Sequence, residues 1–364
     1  LPAYAEGDRL GCVFTEGHVR IPPSFHNGYR KFVEGGWLCP TKCEEVGGQG
    51  LPISVVTACV EYFYAANFSL LTYPGLTAGA AGLIERFGTA EQKEKYMYRM
   101  YQGEWTGTMC LTEANAGTDV GALRTLARCN PDGTYRITGS KCFITGGDHD
   151  LTPNIIHLVL ARIEGDPPGT EGISVFIVPK VRVRENGTLG ESNDVQTGNV
   201  EHKMGIHGSA TCTLNFGDHD DCIGELLGKE REGIHVMFNM MNEARLEVGM
   251  QGLGHATAAY EHAVAYAKER IQSAPVWEMH NPEARPIAII GHPDVRRNLL
   301  WMKAHVEGMR AMNYYAAYCM DTAAVAADGQ ERKDWQGLVE LLIPVCKAYC
   351  SDTGLLVCSK AIDV

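Results

Sequence analysis

The spacing of hydrophobic and polar residues changes character twice along the chain and divides it into three segments. Residues 1–105 show mostly helical spacing, residues 106–228 consist of short β-prone runs between Gly, Pro and Asp turns, and residues 229–364 return to helical spacing. This order predicts an α+β chain with an N-terminal helical domain, a middle β domain built as a small barrel or sandwich, and a C-terminal helical bundle.

The middle segment contains clear strand signals. TYRITG and KCFITGG are short β-prone runs that meet at Gly139-Ser140, which predicts a hairpin. NIIHLVLAR at 154–162 and GISVFIVPK at 172–180 predict longer strands, and TCTLNFG at 211–217 predicts another. Many strands with few helical patterns between them are typical of a small barrel or sandwich.

Helical signals dominate the two outer segments. Thr89 and Gln92 form a capping box, which predicts a helix that ends near Gly103. His292-Pro293-Asp294 opens another helix, and a third is expected from about Trp335 to Val364 with a kink at Pro344. Hydrophobic residues at helical spacing mark the inward faces, namely Ala256, Ala259, Tyr260, Ala263, Val264 and Ala267 in one helix and Leu299, Met302, Val306 and Met309 in the next.

The composition describes an acidic chain of 364 residues, with a formal charge of −12 and 45% hydrophobic residues. Acidic surfaces repel phosphate backbones and anionic membranes, so nucleic-acid binding is not expected. Residues 60–84 are the best candidate for a membrane span, but Glu61, Asn67, Pro74 and Gly79 interrupt them. We therefore expect no helix to span a bilayer, and LPAYAEGDRL at the start lacks the pattern of a signal peptide.

Cysteine usage points to a reducing compartment. The 13 cysteines are an odd number in a long chain, which argues against a secreted disulfide framework and for a cytoplasmic location. Cys39/Cys43 and Cys346/Cys350 are CxxxC pairs, but neither has a partner pair at zinc spacing. Asp148-His149-Asp150 and Asp218-His219-Asp220 carry metal-capable side chains between strands. A turn is favoured over a metal site there, because Asp and Gly are common in turns for backbone reasons.

The stretch MCLTEANAGTDVGAL at 109–123 ends an apolar run and opens a turn of small residues. A turn of this kind leaves backbone amides open to a ligand. Leu111 and Thr112 can offer an amide and a hydroxyl to a polar ligand edge. Gly117 lets the backbone come close to a ligand, and the Thr118 hydroxyl can donate to an anionic group such as a phosphate.

Three stretches in this order resemble the acyl-CoA dehydrogenase family. MCLTEANAGTDV is similar to its first flavin signature, ITGSKCFITGG to its second, and MMNEARLEVGMQGLG to the start of its C-terminal bundle. The resemblance covers nearly the whole chain and implies the family fold, FAD as the cofactor and an acyl-CoA thioester as the substrate. The implied reaction is α,β-dehydrogenation, in which a carboxylate removes the α-proton and the β-hydrogen leaves as hydride to the flavin.

The resemblance also implies ligand contacts at individual positions. Phe143 stands where the family often has Trp, and Ile271-Gln272-Ser273 replaces the family's Thr-Phe-Gly element. Arg270 is similar to an arginine that reaches the flavin pyrophosphate across a dimer interface. The implied flavin contacts are Met109, Leu111, Thr112, Gly117, Thr118, Phe143, Ile144, Thr145 and Arg270, and the implied substrate contacts are Thr118, Ser209, Asn242 and Arg245.

Long connections indicate a subgroup. VRVRENGTLGESNDVQTGNVEHKMG and SAPVWEMHNPEARPIAIIGHPDVRR resemble the long-form branch that includes 3-methylmercaptopropionyl-CoA dehydrogenase. In most of the family the base is a Glu in a glycine-rich turn, and KAYCSDTGLLVCSKAIDV resembles the run-up to it. This implies a base just after Val364 and an incomplete chain. A minority of the family uses the position of Ala244; Glu243 is one residue off, turned by about 100° around the helix.

Other functions stay open from the sequence. An acyl-CoA oxidase or a DNA-repair-associated relative would share the architecture, and a catalytically inactive CoA- or flavin-binding scaffold would need no base. A metalloenzyme built on the two Asp-His-Asp turns is a further alternative. The family resemblance implies an electron-transferring flavoprotein as the electron acceptor and a homodimer or homotetramer.

Overall fold

A computed structural model describes residues 2–364, with the side chains of Asn242 and Glu243 left outside the description. The chain folds into two compact units. The first comprises residues 1–50 and 67–243, and the second comprises residues 51–66 and 244–364. Their helices are α1 Pro2–Leu10, α2 Pro23–Glu34, α3 Ile53–Phe87, α4 Ala90–Gln92, α5 Tyr98–Tyr101, α6 Gly233–Glu269, α7 Pro293–Val325 and α8 Gly329–Ile362.

The first unit contains the described strands. A hairpin of β1 Val13–Thr15 and β2 His18–Arg20 precedes the main sheet. The remaining strands are β3 Thr106–Cys110, β4 Leu126–Cys129, β5 Tyr135–Thr145, β6 Ile155–Ile163, β7 Ile173–Pro179, β8 Val181–Val183, β9 Leu189–Ser192, β10 Val195–Val200, β11 Thr211–Phe216 and β12 Ile223–Leu227.

The main sheet closes on itself. Its order is β10-β11-β5-β12-β7-β6-β3, and β4 pairs with both β5 and β6. Strands β5, β12, β7, β6 and β4 therefore form a closed ring of pairs, which makes the middle of the chain a small barrel. Seven consecutive residues are buried in β6, from Ile155, and in β7, from Ile173, because helices cover the outside of these strands.

Helical segments of the first unit pack on the barrel. Ala80 and Ile84 of α3 belong to the same buried cluster as Ile156 and Leu158 of β6. Thr89 and Gln92 form the predicted capping box, with Gln92 N donating to Thr89 Oγ1 at 3.2 Å and Thr89 N to Gln92 Oε1 at 3.1 Å. The helix that follows contains a π-helical turn from Lys93 to Met97.

The second unit is a bundle of four helical segments, namely residues 53–66, residues 244–269, α7 and α8. Segments α6 and α8 approach closely because Gly252 lies against the backbone of α8. A Cβ built at Gly252 would lie 2.3 Å from the Cys350 carbonyl oxygen, so the contact requires a glycine. The predicted inward face of α7, Leu299, Met302, Val306 and Met309, is buried.

Two expectations about secondary structure were wrong. Residues 135–145 form one continuous strand and not a hairpin at Gly139-Ser140, and Gly139 instead makes room for Thr125, whose Oγ1 lies 2.5 Å from a Cβ built there. Helix α8 begins at Gly329 and not near Trp335, because Asp328 caps it by accepting from Gln330 N and Glu331 N at 2.9 Å each.

Two helices, Ile53–Phe87 and Gly329–Ile362, are long and apolar enough to cross a membrane by length and composition. A third of each apolar window is buried inside the protein, and the core helices of soluble proteins pass the same test. The expectation that no helix spans a bilayer therefore stays a prediction.

Candidate functional site

A β-bulge in β5 turns Phe143 out of the barrel. Ile144 pairs with Cys212 and Lys141 with Leu214, so three steps along β5 match two steps along β11. The extra residue places Phe143 at φ 59, a left-handed conformation that is rare for a bulky side chain, and leaves its ring 62% exposed. Without the bulge, the alternation that buries Tyr135, Ile137 and Lys141 would also point Phe143 inward.

The turn that follows β3 is exposed at its tip. Glu113 N donates to Ala116 O at 3.2 Å, and Ala116 N returns a bond to Glu113 O at 3.0 Å, which closes a tight loop. Gly117 and Thr118 lie on the surface beyond it. Gly117 has neither a positive φ nor a close neighbour, because a Cβ built there meets nothing within 4 Å. Its lack of a side chain is therefore not explained by the packing or backbone of this turn.

A buried ion pair lies beneath the turn. Lys141 is 0% exposed, and its Nζ donates to Glu113 Oε1 at 2.8 Å and to the Leu111 carbonyl oxygen at 3.0 Å. Glu113 also accepts from Arg124 N at 2.7 Å, Thr125 N at 3.0 Å and Thr125 Oγ1 at 2.6 Å. Burial raises the pKa of Glu113, but Lys141 and these donors outweigh it, so the pKa lies below its usual value and the carboxylate is ionised.

The two motifs predicted to bind the flavin are bonded to one another. Cys142 N of β5 donates to the Thr112 carbonyl oxygen at 2.9 Å, next to the bond from Lys141 to Leu111. Thr112 and Thr145 are half-buried. The bulge with Phe143 therefore lies beside the end of β3 and its exposed turn.

The apolar residues of these motifs differ in exposure. Ile144 is only 2% exposed, so its side chain belongs to the core of the first unit. Met109 and Leu111 are partly buried and pack against the cluster that contains Leu158 and Met237.

The other predicted contacts lie elsewhere in the chain. Ser209 is 1% exposed, and its Oγ shares a hydrogen bond of 2.8 Å with Thr72 Oγ1 in the first unit. Arg245, in the second unit, is half-buried on α6. Arg270 follows the end of α6, is exposed, and donates from Nη2 to Gln272 Oε1 at 3.2 Å. The side chains of Asn242 and Glu243 lie outside the described residues.

The first Asp-His-Asp turn binds protein groups. Asp148 pairs with Lys180 and accepts from Thr197 Oγ1 at 2.8 Å. His149 Nε2 bonds to Thr106 Oγ1 at 2.9 Å, and its Nδ1 accepts from Leu151 N at 3.1 Å. Burial lowers the pKa of His149 to about 3, so the ring is neutral. These contacts explain the turn without a metal ion.

The side chains of the second Asp-His-Asp turn and the buried cysteines of α8 also contact protein groups. His219 Nδ1 lies 2.8 Å from Asp194 Oδ1, and Asp220 pairs with Arg136 at 3.0 Å. Cys346 and Cys350 are buried in α8, and Asn313 Nδ2 donates to Cys350 Sγ at 3.1 Å. Within residues 2–241 and 244–364, no group of three His, Cys, Asp or Glu side chains has metal-site geometry.

Lys141 and Glu113 are site residues that the sequence analysis missed. Both lie inside the quoted motifs, but neither was assigned a role. The signal was the alternation in β5, which places Lys141 on the inward face. A lysine at an inward position requires a carboxylate or carbonyl partner, and Glu113 is the acid in the neighbouring motif.

Comparison with known families defines the class of protein. Models of the N-terminal, middle and C-terminal domains of acyl-CoA dehydrogenases match residues 15–104, 108–219 and 231–364. The chain therefore belongs to the acyl-CoA dehydrogenase family.

Individual relatives support this placement. A butyryl-CoA dehydrogenase of Syntrophomonas wolfei is 42% identical over 373 residues, and a 3-methylmercaptopropionyl-CoA dehydrogenase of Ruegeria pomeroyi is 39% identical over 363 residues. Both alignments cover 100% of this chain and 60% of the relative, so the chain spans about 60% of their length. A solved acyl-CoA dehydrogenase of Bacillus anthracis complexed with FAD is 28% identical, with a TM-score of 0.72 over 93% of this chain and 53% of that one.

Proposed function

We propose that this protein takes part in FAD-dependent α,β-dehydrogenation of an acyl-CoA thioester to the trans-2-enoyl-CoA. The observation that carries the proposal is the bulge at Phe143. The backbone of Phe143 has a left-handed conformation, which is costly for a bulky residue, and its aromatic ring is exposed. Backbone strain of this kind concentrates at binding sites. The ring stands beside a turn whose surface offers hydroxyl and amide donors, as a flat cofactor with a polar edge requires.

The residues at this site fit a flavin. Thr112 and Thr145 are half-buried hydroxyl donors on adjoining segments, and Phe143 supplies an apolar face. Gly117 leaves open space where a side chain would stand, which lets a ligand approach the backbone. The residues proposed to hold FAD are Met109, Leu111, Thr112, Gly117, Thr118, Phe143, Ile144, Thr145 and Arg270.

The chemistry of each group in the proposed site suggests its role in the reaction. FAD, when bound, would supply the acceptor for the hydride that leaves the β-carbon. Phe143 would exclude water from one face of the flavin ring, and the Thr112 and Thr145 hydroxyls would orient its polar edge. We propose Thr118, Asn242 and Arg245 as contacts of the CoA thioester. We also propose Ser209, which is 1% exposed, as a contact of the thioester, as the family resemblance implies.

Removal of the α-proton requires a carboxylate beside the thioester. The family resemblance favours a Glu in a glycine-rich turn for this role, and Glu243 is the secondary candidate because it lies one residue from the position that a minority of the family uses. Replacing Glu243 with Gln should abolish flavin reduction by acyl-CoA if Glu243 is the base. Reduction at the wild-type rate would place the base elsewhere.

The proposal also covers the electron acceptor, the assembly, the location and the domains of the protein. We propose an electron-transferring flavoprotein as the electron acceptor, a homodimer or homotetramer as the assembly, no membrane span and a cytoplasmic location. We also keep residues 1–105, 106–228 and 229–364 as the proposed domains, because the three family matches fall one within each segment.

An anaerobic visible spectrum tests the reaction. The purified protein is loaded with FAD and titrated with acyl-CoAs of increasing chain length and with 3-methylmercaptopropionyl-CoA. We expect flavin absorbance to bleach with at least one of them. Failure to bind added FAD, or bound flavin that none of the thioesters bleaches, would contradict the proposal. Rapid reoxidation by air with formation of hydrogen peroxide would identify an oxidase.

A further inference from the structure

The ion pair under the 109–123 turn has a geometry that bears on flavin binding, and this inference rests on the proposed function. Lys141 Nζ donates to the carbonyl oxygen of Leu111 at 3.0 Å. The Leu111 carbonyl and the Thr112 N–H belong to one planar trans peptide, in which the two groups point in opposite directions. By holding the carbonyl inward, Lys141 directs the Thr112 N–H away from the core.

The next carbonyl is held in the same way. Cys142 N donates to the Thr112 carbonyl oxygen at 2.9 Å, so consecutive residues of β5 bind consecutive carbonyls at the end of β3. Among the described residues, the Thr112 N–H has no protein acceptor. The arrangement leaves one oriented donor available to a ligand beside the exposed Phe143 ring.

Stability alone does not account for a buried lysine here. Replacing a buried ion pair with apolar side chains is often neutral or stabilising, because desolvation offsets the attraction between the charges. Glu113 neutralises the lysine and is itself bonded to the backbone at Arg124 and Thr125. The pair therefore fixes a peptide orientation without placing a net charge under the ligand.

We propose that the Lys141–Glu113 pair is a positioning element for the flavin, which fixes the peptide between Leu111 and Thr112 so that the Thr112 N–H donates to the polar edge of the ring. Lys141 and Glu113 act through this peptide and touch neither flavin nor substrate.

The test uses a double variant, Glu113→Gln with Lys141→Met, which removes both charges together and avoids a lone buried ion. We expect FAD to bind at least about tenfold more weakly, because an oriented hydrogen bond is lost. We also expect the absorption maximum of the bound flavin to shift, which a loss of stability alone would not cause. Binding is measured by quenching of flavin fluorescence, without turnover.

A matched control removes another lysine–glutamate pair of the same unit. Lys95 Nζ lies 2.7 Å from Glu225 Oε1, between the π-helical turn and β12. The variant Lys95→Met with Glu225→Gln should bind FAD within about twofold of wild type and leave the flavin spectrum unchanged. Equal weakening in both double variants would overturn the positioning role.

Hydrogen exchange of the wild-type protein provides a test that does not depend on the folding of a variant. FAD should slow exchange of the Thr112 amide; unchanged exchange on saturation with FAD would overturn the inference. If wild-type protein binds FAD and is reduced by acyl-CoA while either result is negative, the inference alone fails. If wild-type protein binds no FAD, both the inference and the proposed function fail.

Discussion

Two buried glutamates, one in each compact unit, form ion pairs with different kinds of partners. Glu61, 3% exposed, accepts from side chains of the bundle: Arg310 at 2.6 and 2.9 Å, Tyr314 at 2.8 Å and Thr257 at 2.7 Å. Glu113 accepts from one ammonium group, one hydroxyl and two backbone N–H groups. The first carboxylate joins helices, whereas the second fixes the path of a loop.

The comparison separates two uses of a buried charge. A carboxylate bonded to side chains from several helices secures their packing, so removing it should lower the free energy of unfolding. A carboxylate bonded to backbone groups secures a local peptide orientation, so removing it together with its cation should weaken ligand binding more than it lowers the free energy of unfolding. The predictions below test this distinction, from the largest expected effect to the smallest.

Lys141→Met alone should lower the free energy of unfolding of the apoprotein by about 4 kcal/mol, because it leaves Glu113 charged, buried and without its cation. Urea denaturation measures the change. Adding Glu113→Gln should recover most of the loss, since no lone charge then remains. A loss below about 1 kcal/mol for the single variant would contradict a charged, buried Glu113.

Arg310→Met should lower the free energy of unfolding by about 3 kcal/mol in the same assay. This loss is slightly smaller than that of Lys141→Met because Thr257 and Tyr314 still donate to Glu61. FAD affinity per folded molecule should not change if Glu61 only joins helices. Arg30→Met is the matched control, because the Arg30–Glu34 pair is exposed on both sides and such pairs contribute at most about 1 kcal/mol.

His157 extends the comparison to a buried group that stays neutral. Its Nδ1 bonds to Thr108 Oγ1 at 2.7 Å, and burial, with a smaller effect of Lys180, lowers its pKa from 6.5 to about 3. Protons then bind preferentially to the unfolded chain, so stability falls as the pH drops from 6.5 towards 3 and is unaffected above that range.

The expected contribution of His157 is a loss of about 2 kcal/mol between pH 7 and pH 5. His157→Gln should flatten the pH dependence of the unfolding free energy by this amount, with variant and wild type each referenced to pH 7.5. His149, whose pKa is also lowered to about 3, accounts for a similar slope that remains in the variant. An unchanged slope would mean that His157 is protonated in the folded state.

Phe143→Gly should raise the unfolding free energy of the apoprotein by about 0.5–1 kcal/mol, because glycine adopts a φ of 59 without strain. It should also weaken FAD binding, since the apolar face is lost. Glu16→Gly is the control, with a φ of 52 in the β1–β2 turn, and should give a similar gain with no effect on FAD binding. Unchanged affinity for FAD in Phe143→Gly would remove Phe143 from the site.

Regular patterns were predictable from the sequence, and interruptions of the patterns were not. The capping box at Thr89 and the hydrophobic runs of β6 and β7 depend on neighbouring residues, so their predictions were confirmed. The long strand β5 was mistaken for a hairpin because Gly139 is as common in turns as at close contacts. The partnership of Lys141 with Glu113 joins residues 28 apart, which only the folded strands bring together.

The bulge in β5 has a consequence for insertions and deletions. Between Lys141 and Ile144 the strand carries one residue more than its partner segment in β11, and this surplus decides which side chains face outward. Many substitutions at Cys142 would preserve that count, whereas deleting a single residue would restore the regular alternation, point the Phe143 position inward and detach the strand from the end of β3. The length of this short segment is therefore constrained more tightly than the identity of the residues within it.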